Sequence, residues 1–329
     1  MSSISLIIPT YNNDSTLRAC LESIKKQSLV PNEIIIADGH STDDSINIAK
    51  EYDCKIVYED RGTRAAACNE ALKIAQGDII VFTDSDIVAD KEWLKNLSET
   101  FNKMDHEVAC VAGPHLEYPD ESLFGKAVSA IYDTIFGGRW SEQVKSIFDK
   151  EERFVQSAAG CNAAYRREAI EEVLPFNESL LTAEDTDINY RLIQKGKKLF
   201  FTPSAIIYHQ RPQRHKTFRN KSKKYAIGKI QFFRTHKVGL ELWHLLPVLY
   251  FLTGLFLSIV LFVNLWIGVG VAVYFGLYII AIQIASIVQT IKYRQWQFLF
   301  MLPLMFIEGH IFWSLGILQE IFASKKKRD

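Results

Sequence analysis

The chain has 329 residues, 48% of them apolar, and its 38 Lys/Arg balance 38 Asp/Glu. That length suits one large domain with an appendage. The five cysteines (Cys20, Cys54, Cys68, Cys110, Cys161) are scattered with no C-x-x-C pair, which excludes a metal-ribbon spacing and suits buried free thiols in a reducing compartment.

Strand and helix patterns alternate over the first two hundred residues. Ser5 to Ile8 reads as strand one, ended by Pro9. Asp14 or Ser15 can cap a helix with Leu17, Cys20, Leu21 and Ile24 on its apolar face. Glu33 to Ala37 reads as strand two, and Thr42 or Asp43 can cap the next helix. Lys55 to Tyr58 is a third strand, Arg64 to Ala75 an Ala-rich helix, and Ile79 to Phe82 a fourth strand. Near-continuous apolar strands alternating with helices point to a mostly parallel sheet covered on both faces.

Two carboxylates, Asp84 and Asp86, stand where the fourth strand should stop. In open α/β sheets, ligands bind outside the carboxyl ends of the strands. Acids at i and i+2 on a bending backbone offer oxygen ligands to Mg²⁺ or Mn²⁺, which can hold a diphosphate. The plainer alternative is a solvated loop that caps the helix near Lys91.

The rhythm loosens after residue 105. Val108 to Ala112 reads as a strand, Leu123 to Phe136 as helical, and Phe154 to Tyr165 as extended structure around Gly160. Thr182 to Lys195 has helix spacing, and Leu199 to Phe201 and Ile206 to Tyr208 read as short strands. Arg211 to Lys237 then holds ten Lys/Arg and no acid. Lys216, Lys223, Lys224, Lys229 and Lys237 mix there with Phe218, Tyr225, Ile227, Ile230, Phe232 and Phe233, a pattern for an amphipathic helix on an anionic membrane surface. Nucleic-acid binding is disfavoured, because this segment runs directly into Leu242 to Ile291, 50 residues without a charge. That stretch suits two spans, placed at 243–263 and 267–291, with the break marked by Asn264-Leu265-Trp266 and by Gly268 at the head of the second. A third apolar segment, 298–322, is interrupted by Glu308, His310 and Glu320. Its length favours a third span. That would place Lys325-Lys326-Lys327-Arg328 outside, against the positive-inside pattern, so a re-entrant or interfacial segment is the alternative. The N-terminus lacks a basic flank and Ile4 to Ile8 is too short for an apolar signal core, so we expect the first domain to be cytosolic.

Five motifs occur in a familiar order: Ile7-Ile8-Pro9-Thr10-Tyr11-Asn12, Ala37-Asp38-Gly39-His40-Ser41-Thr42-Asp43, Asp84-Ser85-Asp86, Gly160-Cys161-Asn162 before Arg166-Arg167, and Thr182-Ala183-Glu184-Asp185-Thr186-Asp187. As a set they resemble a family-2 inverting glycosyltransferase of the GT-A fold over residues 4–210, nearly two thirds of the chain. The tail resembles that of members acting on lipid-linked acceptors. The resemblance implies an α/β GT-A sheet with helices on both faces, a nucleotide-diphosphate sugar donor (UDP- or GDP-linked), and Mg²⁺ or Mn²⁺ on Asp84 and Asp86.

The residues carry readings of their own beside it. Pro9, Thr10 and Tyr11 follow strand one at the edge where a nucleotide would lie, and Tyr11 offers a flat face to a base. Asp38 can accept an imide N–H or a ribose hydroxyl, or simply form a turn. The family usually has two adjacent acids there, and Gly39 stands as the second. Arg64, at a helix N-terminus with Asn69 one turn on, can meet a diphosphate. Ser85, between the two acids expected to hold the metal, is a further nucleotide-sugar contact by resemblance. By resemblance Asp185 is the general base that takes the acceptor hydroxyl proton, with Glu184 and Asp187 orienting. A phosphate acceptor would need no base. His209, Arg211 and Arg219 are further acceptor-side contacts, and His209 can instead touch the metal or diphosphate or be a structural residue.

The expected protein is a multi-pass membrane enzyme. It comprises a catalytic domain at 1–210, a basic interfacial segment at 211–240 and a membrane region at 241–329. It would move a sugar to a polyprenyl phosphate or lipid-linked saccharide on the cytosolic face, in protein glycosylation or surface polysaccharide assembly. A processive polysaccharide synthase is one alternative, disfavoured by two or three membrane segments and by the lack of a Gln-x-x-Arg-Trp motif before them. A catalytically inactive membrane scaffold or sugar-nucleotide sensor is the other, opposed by the intact acids.

Overall fold

The computed structural model describes residues 2–138, 150–260 and 265–323. In chain order the elements are β1 Ile4–Thr10, α1 Asp14–Lys25, β2 Glu33–Asp38, α2 Ser45–Glu51, β3 Lys55–Tyr58, α3 Arg64–Leu72, β4 Ile79–Thr83, β5 Ile87–Ala89, α4 Trp93–Lys103, β6 Val108–Ala112 and β7 His115–Glu117. There follow α5 Leu123–Tyr132, β8 Arg153–Val155, β9 Asn162–Arg166, α6 Arg167–Glu171, α7 Glu184–Gln194, β10 Lys198–Phe201, β11 Ile207–His209, α8 His215–His236, α9 Leu242–Val260, α10 Leu265–Tyr293 and α11 Phe298–Phe322. The chain divides into two compact units. The first takes Met1–Glu121, Trp140–Leu180 and Glu184–Gln210, and the second takes Ser122–Arg139, Leu181–Ala183 and Arg211–Asp329.

The first unit is built on an eight-stranded sheet of order β3-β2-β1-β4-β9-β6-β10-β8. Only β9 and β8 run against the others, so the sheet is mixed with a mostly parallel body. Its continuous apolar strands follow from burial on both faces. Leu6, Ile8, Ile34, Ile36 and Val81 pack with α1 and α4 residues such as Leu17 and Trp93. Ile7, Ile35, Ile80 and Phe82 turn to the opposite side and pack with Ala67 and Ala71 of α3 and Ile188 and Leu192 of α7. Burial pushes the Cys68 thiol up to about 12 and the Cys20 and Cys110 thiols higher still, as expected of inert core cysteines.

Several boundaries differ from the sequence reading. Pro9 does not end β1, which pairs with β2 as far as Thr10. Pairing with β4 has already stopped at Ile7–Phe82, and proline is tolerated where one side of a ladder has ended. Asn13, not Asp14 or Ser15, precedes α1; its carbonyl accepts from Thr16 and Leu17 N–H while its side chain reaches Ser85. Asp44 precedes α2, and Asp43 accepts the Ser45 N–H. The extended stretch around Gly160 resolves into β8 and β9, with residues 156–161 between them. The short β5 and β7, not foreseen, join β11 in a second sheet of order β5-β11-β7.

The second unit is helical. α9, α10 and α11 are each long and apolar enough to cross a membrane, and they fall on the three expected segments. Residues 261–264, at the expected break, and the basic tail at 325–328 lie outside the described residues. One expectation needs correcting. The apolar face of α8 does not lie bare for a bilayer. Phe218, Ala226, Ile227, Ile230 and Phe232 are buried. Phe218 packs with Leu302, Met305 and Phe306 of α11, and Ala226 and Ile230 pack with Ile317 of α11 and Val248 of α9. Sequence periodicity reports that a face is apolar, not what covers it.

Candidate active site

The carboxyl ends of β1, β2 and β3 form one edge of the first unit. Tyr11 leaves β1 with its side chain largely bare, at 62% exposure. The Thr10 carbonyl accepts the Gly39 N–H (2.9 Å), which ties the ends of β1 and β2 together. Asp38 is fully buried, and both its oxygens serve Ser41: Oδ2 accepts the backbone N–H (2.8 Å) and Oδ1 the hydroxyl (2.5 Å). That is the turn-forming role, one of the two readings the sequence left open for Asp38. The acid that borders this edge is Glu59. A Cβ at Gly39 would lie 3.0 Å from Glu59 Oε1 and 3.4 Å from the Tyr11 ring. Glu59 Oε2 accepts the Arg61 and Gly62 N–H groups (2.8 Å each), while Oε1 accepts no hydrogen bond from the described residues. Sequence reading passed over Glu59; its place just past Tyr58, at a strand's carboxyl end, was the available signal.

The turn after β4 presents Asp84 and Asp86. Ser85 is buried, and its hydroxyl receives the Asn13 amide, so its side chain braces the turn instead of facing a ligand. The small second sheet supplies the third group. β11 runs antiparallel to β5 with His209 opposite Ile87, one residue beyond Asp86. His209 Nδ1 lies 2.9 Å from the Gln210 carbonyl; a carbonyl only accepts, so Nδ1 carries the proton. Nε2 is thereby aimed at Asp84 Oδ2 (3.2 Å) and Asp86 Oδ1 (3.5 Å). Asp84, Cys161 and His209 offer donor atoms within 4.8 Å of one another. Carboxylate oxygens with one imidazole nitrogen fit a divalent cation such as Mn²⁺ or Mg²⁺, and the Cys161 thiol adds a softer donor that sequence reading did not assign.

Arg64 connects this cluster to the second acidic motif. Its Nε donates to Asp84 (3.2 Å), Nη1 to Glu184 (3.0 Å) and Nη2 to the Gly160 carbonyl (2.8 Å). Burial opposes its charge, but the Asp84 and Glu184 carboxylates hold its pKa well above the ordinary value. Burial raises the Glu184 carboxyl, and Arg64 opposes that rise. Asp185, beside it at the start of α7, accepts the Gly160 N–H on Oδ2 (2.9 Å) and the Thr186 N–H on Oδ1 (2.6 Å). Arg64→Ala would leave Glu184 buried without its cation. We expect a loss of ~3 kcal/mol or more, read as a lower melting temperature in detergent and partly recovered by adding Glu184→Gln.

Two expected site residues have other work. Asn69 donates to the Phe176 carbonyl (3.0 Å) and Glu178 (2.8 Å) and accepts the Phe176 N–H (2.8 Å), so it pins a loop rather than a nucleotide. Asp187 is buried in an ion pair with Arg191, whose guanidinium also bonds the Val173 and Pro175 carbonyls. Pro9 and Thr10 remain strand residues at the edge. Arg211 and Arg219 belong to the second unit, where Arg211 donates to Ser129 (3.3 Å) and Arg219 lies over the Phe312 ring.

Residues 5–174, just over half of the sequence, match the family described as Glycosyl transferase family 2. The chain belongs to that family. Among relatives of this glycosyltransferase is the O-antigen chain rhamnosyltransferase RfbN of Salmonella typhimurium, 31% identical over 216 residues, 63% of this chain and 66% of the relative. Another is the dolichyl N-acetyl-alpha-D-glucosaminyl phosphate 3-beta-D-2,3-diacetamido-2,3-dideoxy-beta-D-glucuronosyltransferase of Methanococcus voltae, 26% identical over 240 residues, 70% of this chain and 73% of the relative. The glycosyltransferase thus spans just under two thirds of the Salmonella relative. Its fold is that of the mannosyltransferase PcManGT from Pyrobaculum calidifontis, solved with GDP-Man and Mn²⁺, at a TM-score of 0.59 and 18% identity over 98% of this chain and 87% of that one. That likeness bears out the GT-A sheet followed by apolar helices.

Proposed function

We propose that this glycosyltransferase moves a sugar, with inversion and with the help of a divalent cation, from a nucleotide-diphosphate donor to a lipid-linked acceptor at the cytosolic face of a membrane. The observation that carries the reading is Arg64. One half-buried guanidinium joins the Asp84–Asp86–His209 cluster to the Glu184–Asp185 pair, which supports a cation-binding group and a base acting in one site. Residues 1–210 form the catalytic domain, 211–240 an interfacial segment, and 241–329 the membrane region, with α9 and α10 as a spanning hairpin. The named relatives act in O-antigen and dolichyl-phosphate chemistry, which supports a polyprenyl-phosphate-linked acceptor and a role in surface polysaccharide or protein glycosylation.

In the reaction the acceptor oxygen attacks the anomeric carbon as the bond to the diphosphate breaks. Asp185 takes the acceptor hydroxyl proton, held in place by the Gly160 and Thr186 N–H groups. A cation bound by Asp84, Asp86 and His209 would supply positive charge to the departing diphosphate. Arg64 fixes the distance between the two acidic motifs rather than serving as a mobile phosphate ligand.

The base-binding edge supports UDP over GDP. Glu59 leaves one oxygen to accept, which suits the single imide N–H of uracil; guanine offers adjacent N1–H and N2–H donors that call for two acceptors. Glu59→Gln is expected to weaken UDP binding about tenfold by titration calorimetry, the worth of one charge-assisted hydrogen bond, with no change for inorganic diphosphate. Equal losses for both ligands would remove Glu59 from base recognition.

The direct test is a donor screen with purified protein, Mn²⁺ and either a short polyprenyl phosphate or a lipid-linked saccharide. Turnover with a UDP- or GDP-sugar supports the proposal. No turnover and no sugar-nucleotide binding across the screen would favour the inactive scaffold.

A further inference from the structure

The position of α11 carries information that its composition does not. α8 and α11 touch in the same order along both helices. His215 pairs with Glu308 (2.7 Å), and Phe218 lies against Gly309. Gly316 meets the Lys223 carbonyl, where an added Cβ would approach to 2.5 Å. Gln231 and Arg234 bond Glu320 (3.3 and 2.9 Å), and Arg234 also bonds the Ile321 carbonyl (2.9 Å). The two helices are parallel neighbours from near the start of α8 to its last turn. If α11 crossed a bilayer, α8 would have to cross beside it.

α8 cannot cross. It carries Lys216, Arg219, Lys221, Lys223, Lys224, Lys229 and Arg234, and each Lys or Arg is strongly unfavourable at a bilayer centre. We therefore propose that α11 does not span the membrane, and that α8 and α11 form one platform lying in the anionic headgroup layer of the cytosolic leaflet. This rests on the cytosolic orientation proposed above. The exposed residues of the pair divide as such a platform needs. Phe300, Leu304, Ile311, Leu315 and Phe322 form a bare apolar stripe along α11, while Lys216 and Lys224 are exposed on α8. Hydrocarbon takes the first and lipid phosphates the second. The platform is continuous with the hairpin, since Trp313 donates to the His244 carbonyl at the start of α9 (2.9 Å). It also removes the charge conflict in the sequence, because the basic tail after α11 then stays on the same side as α8.

The test is labelling of the full-length protein in membrane vesicles with an impermeant maleimide, read by peptide mass mapping. Ala323→Cys, at the end of α11, and Asn220→Cys, on α8, are expected to react only in inside-out vesicles. Reaction of Ala323→Cys in right-side-out vesicles, or only after detergent, would overturn the proposal. Asn264→Cys reports the hairpin separately. If it too reacts only in inside-out vesicles, the spanning hairpin is wrong while the α11 inference stands. In nanodiscs, Asn220→Cys should label several-fold more slowly with phosphatidylglycerol than with phosphatidylcholine, and high salt should erase the difference. Equal rates would remove the headgroup contact.

Discussion

Replacing Asp86 with alanine is expected to abolish cation-dependent donor binding and to lower turnover about a thousandfold or more. A cation on a departing diphosphate contributes several kcal/mol to the transition state, and each 1.4 kcal/mol is roughly tenfold in rate. Asp86 is the clean position to test. Asp84 is tied to Arg64, so its removal disturbs the buried ion pairs as well, whereas the structural bond at residue 86 is made by its backbone carbonyl to the Gln210 N–H (3.0 Å). The fold should therefore survive. Calorimetry of nucleoside diphosphate with and without Mn²⁺ separates the effects: the mutant should bind equally weakly in both conditions. Unchanged turnover would sink the cation assignment.

Asp185→Asn should keep donor binding and lose transfer to a hydroxyl acceptor by about a hundred- to ten-thousandfold, the usual worth of a positioned base. Asparagine retains a carbonyl oxygen that can still accept the Gly160 N–H, so the 156–161 loop stays anchored while the proton acceptor is gone. The effect belongs in kcat rather than in donor affinity. Strong residual transfer would point to a phosphate acceptor, whose oxyanion has no proton to lose, or to a different base.

The sheet was legible because burial on both faces imprints uninterrupted apolar runs, and the acids at 84, 86 and 185 because the motifs that carry them are local. What escaped was long-range. Asn69 and Asp187 carry the right chemistry at believable spacing, but only the fold reveals that the loop at 173–178 claims the hydrogen bonds of Asn69, and that Asp187 is taken by Arg191, which itself bonds that loop. For His209 the sequence offers a metal or diphosphate contact without saying which; the register of β11 on β5 is what turns it onto Asp84. Arg64 was read as a phosphate ligand, since nothing in a sequence states that three acceptors from three distant segments already surround it.

Gly39 and Glu59 also bear on redesign. On the reading proposed above, placing an acid at 39 is not expected by itself to change the nucleotide used. The new side chain would start 3.0 Å from Glu59 Oε1, pressing two carboxylates together where one must then hold a proton. Gly39, just past β2, and Glu59, just past β3, therefore share one space, and on the base-recognition reading proposed above a change of donor is expected to need both positions altered together.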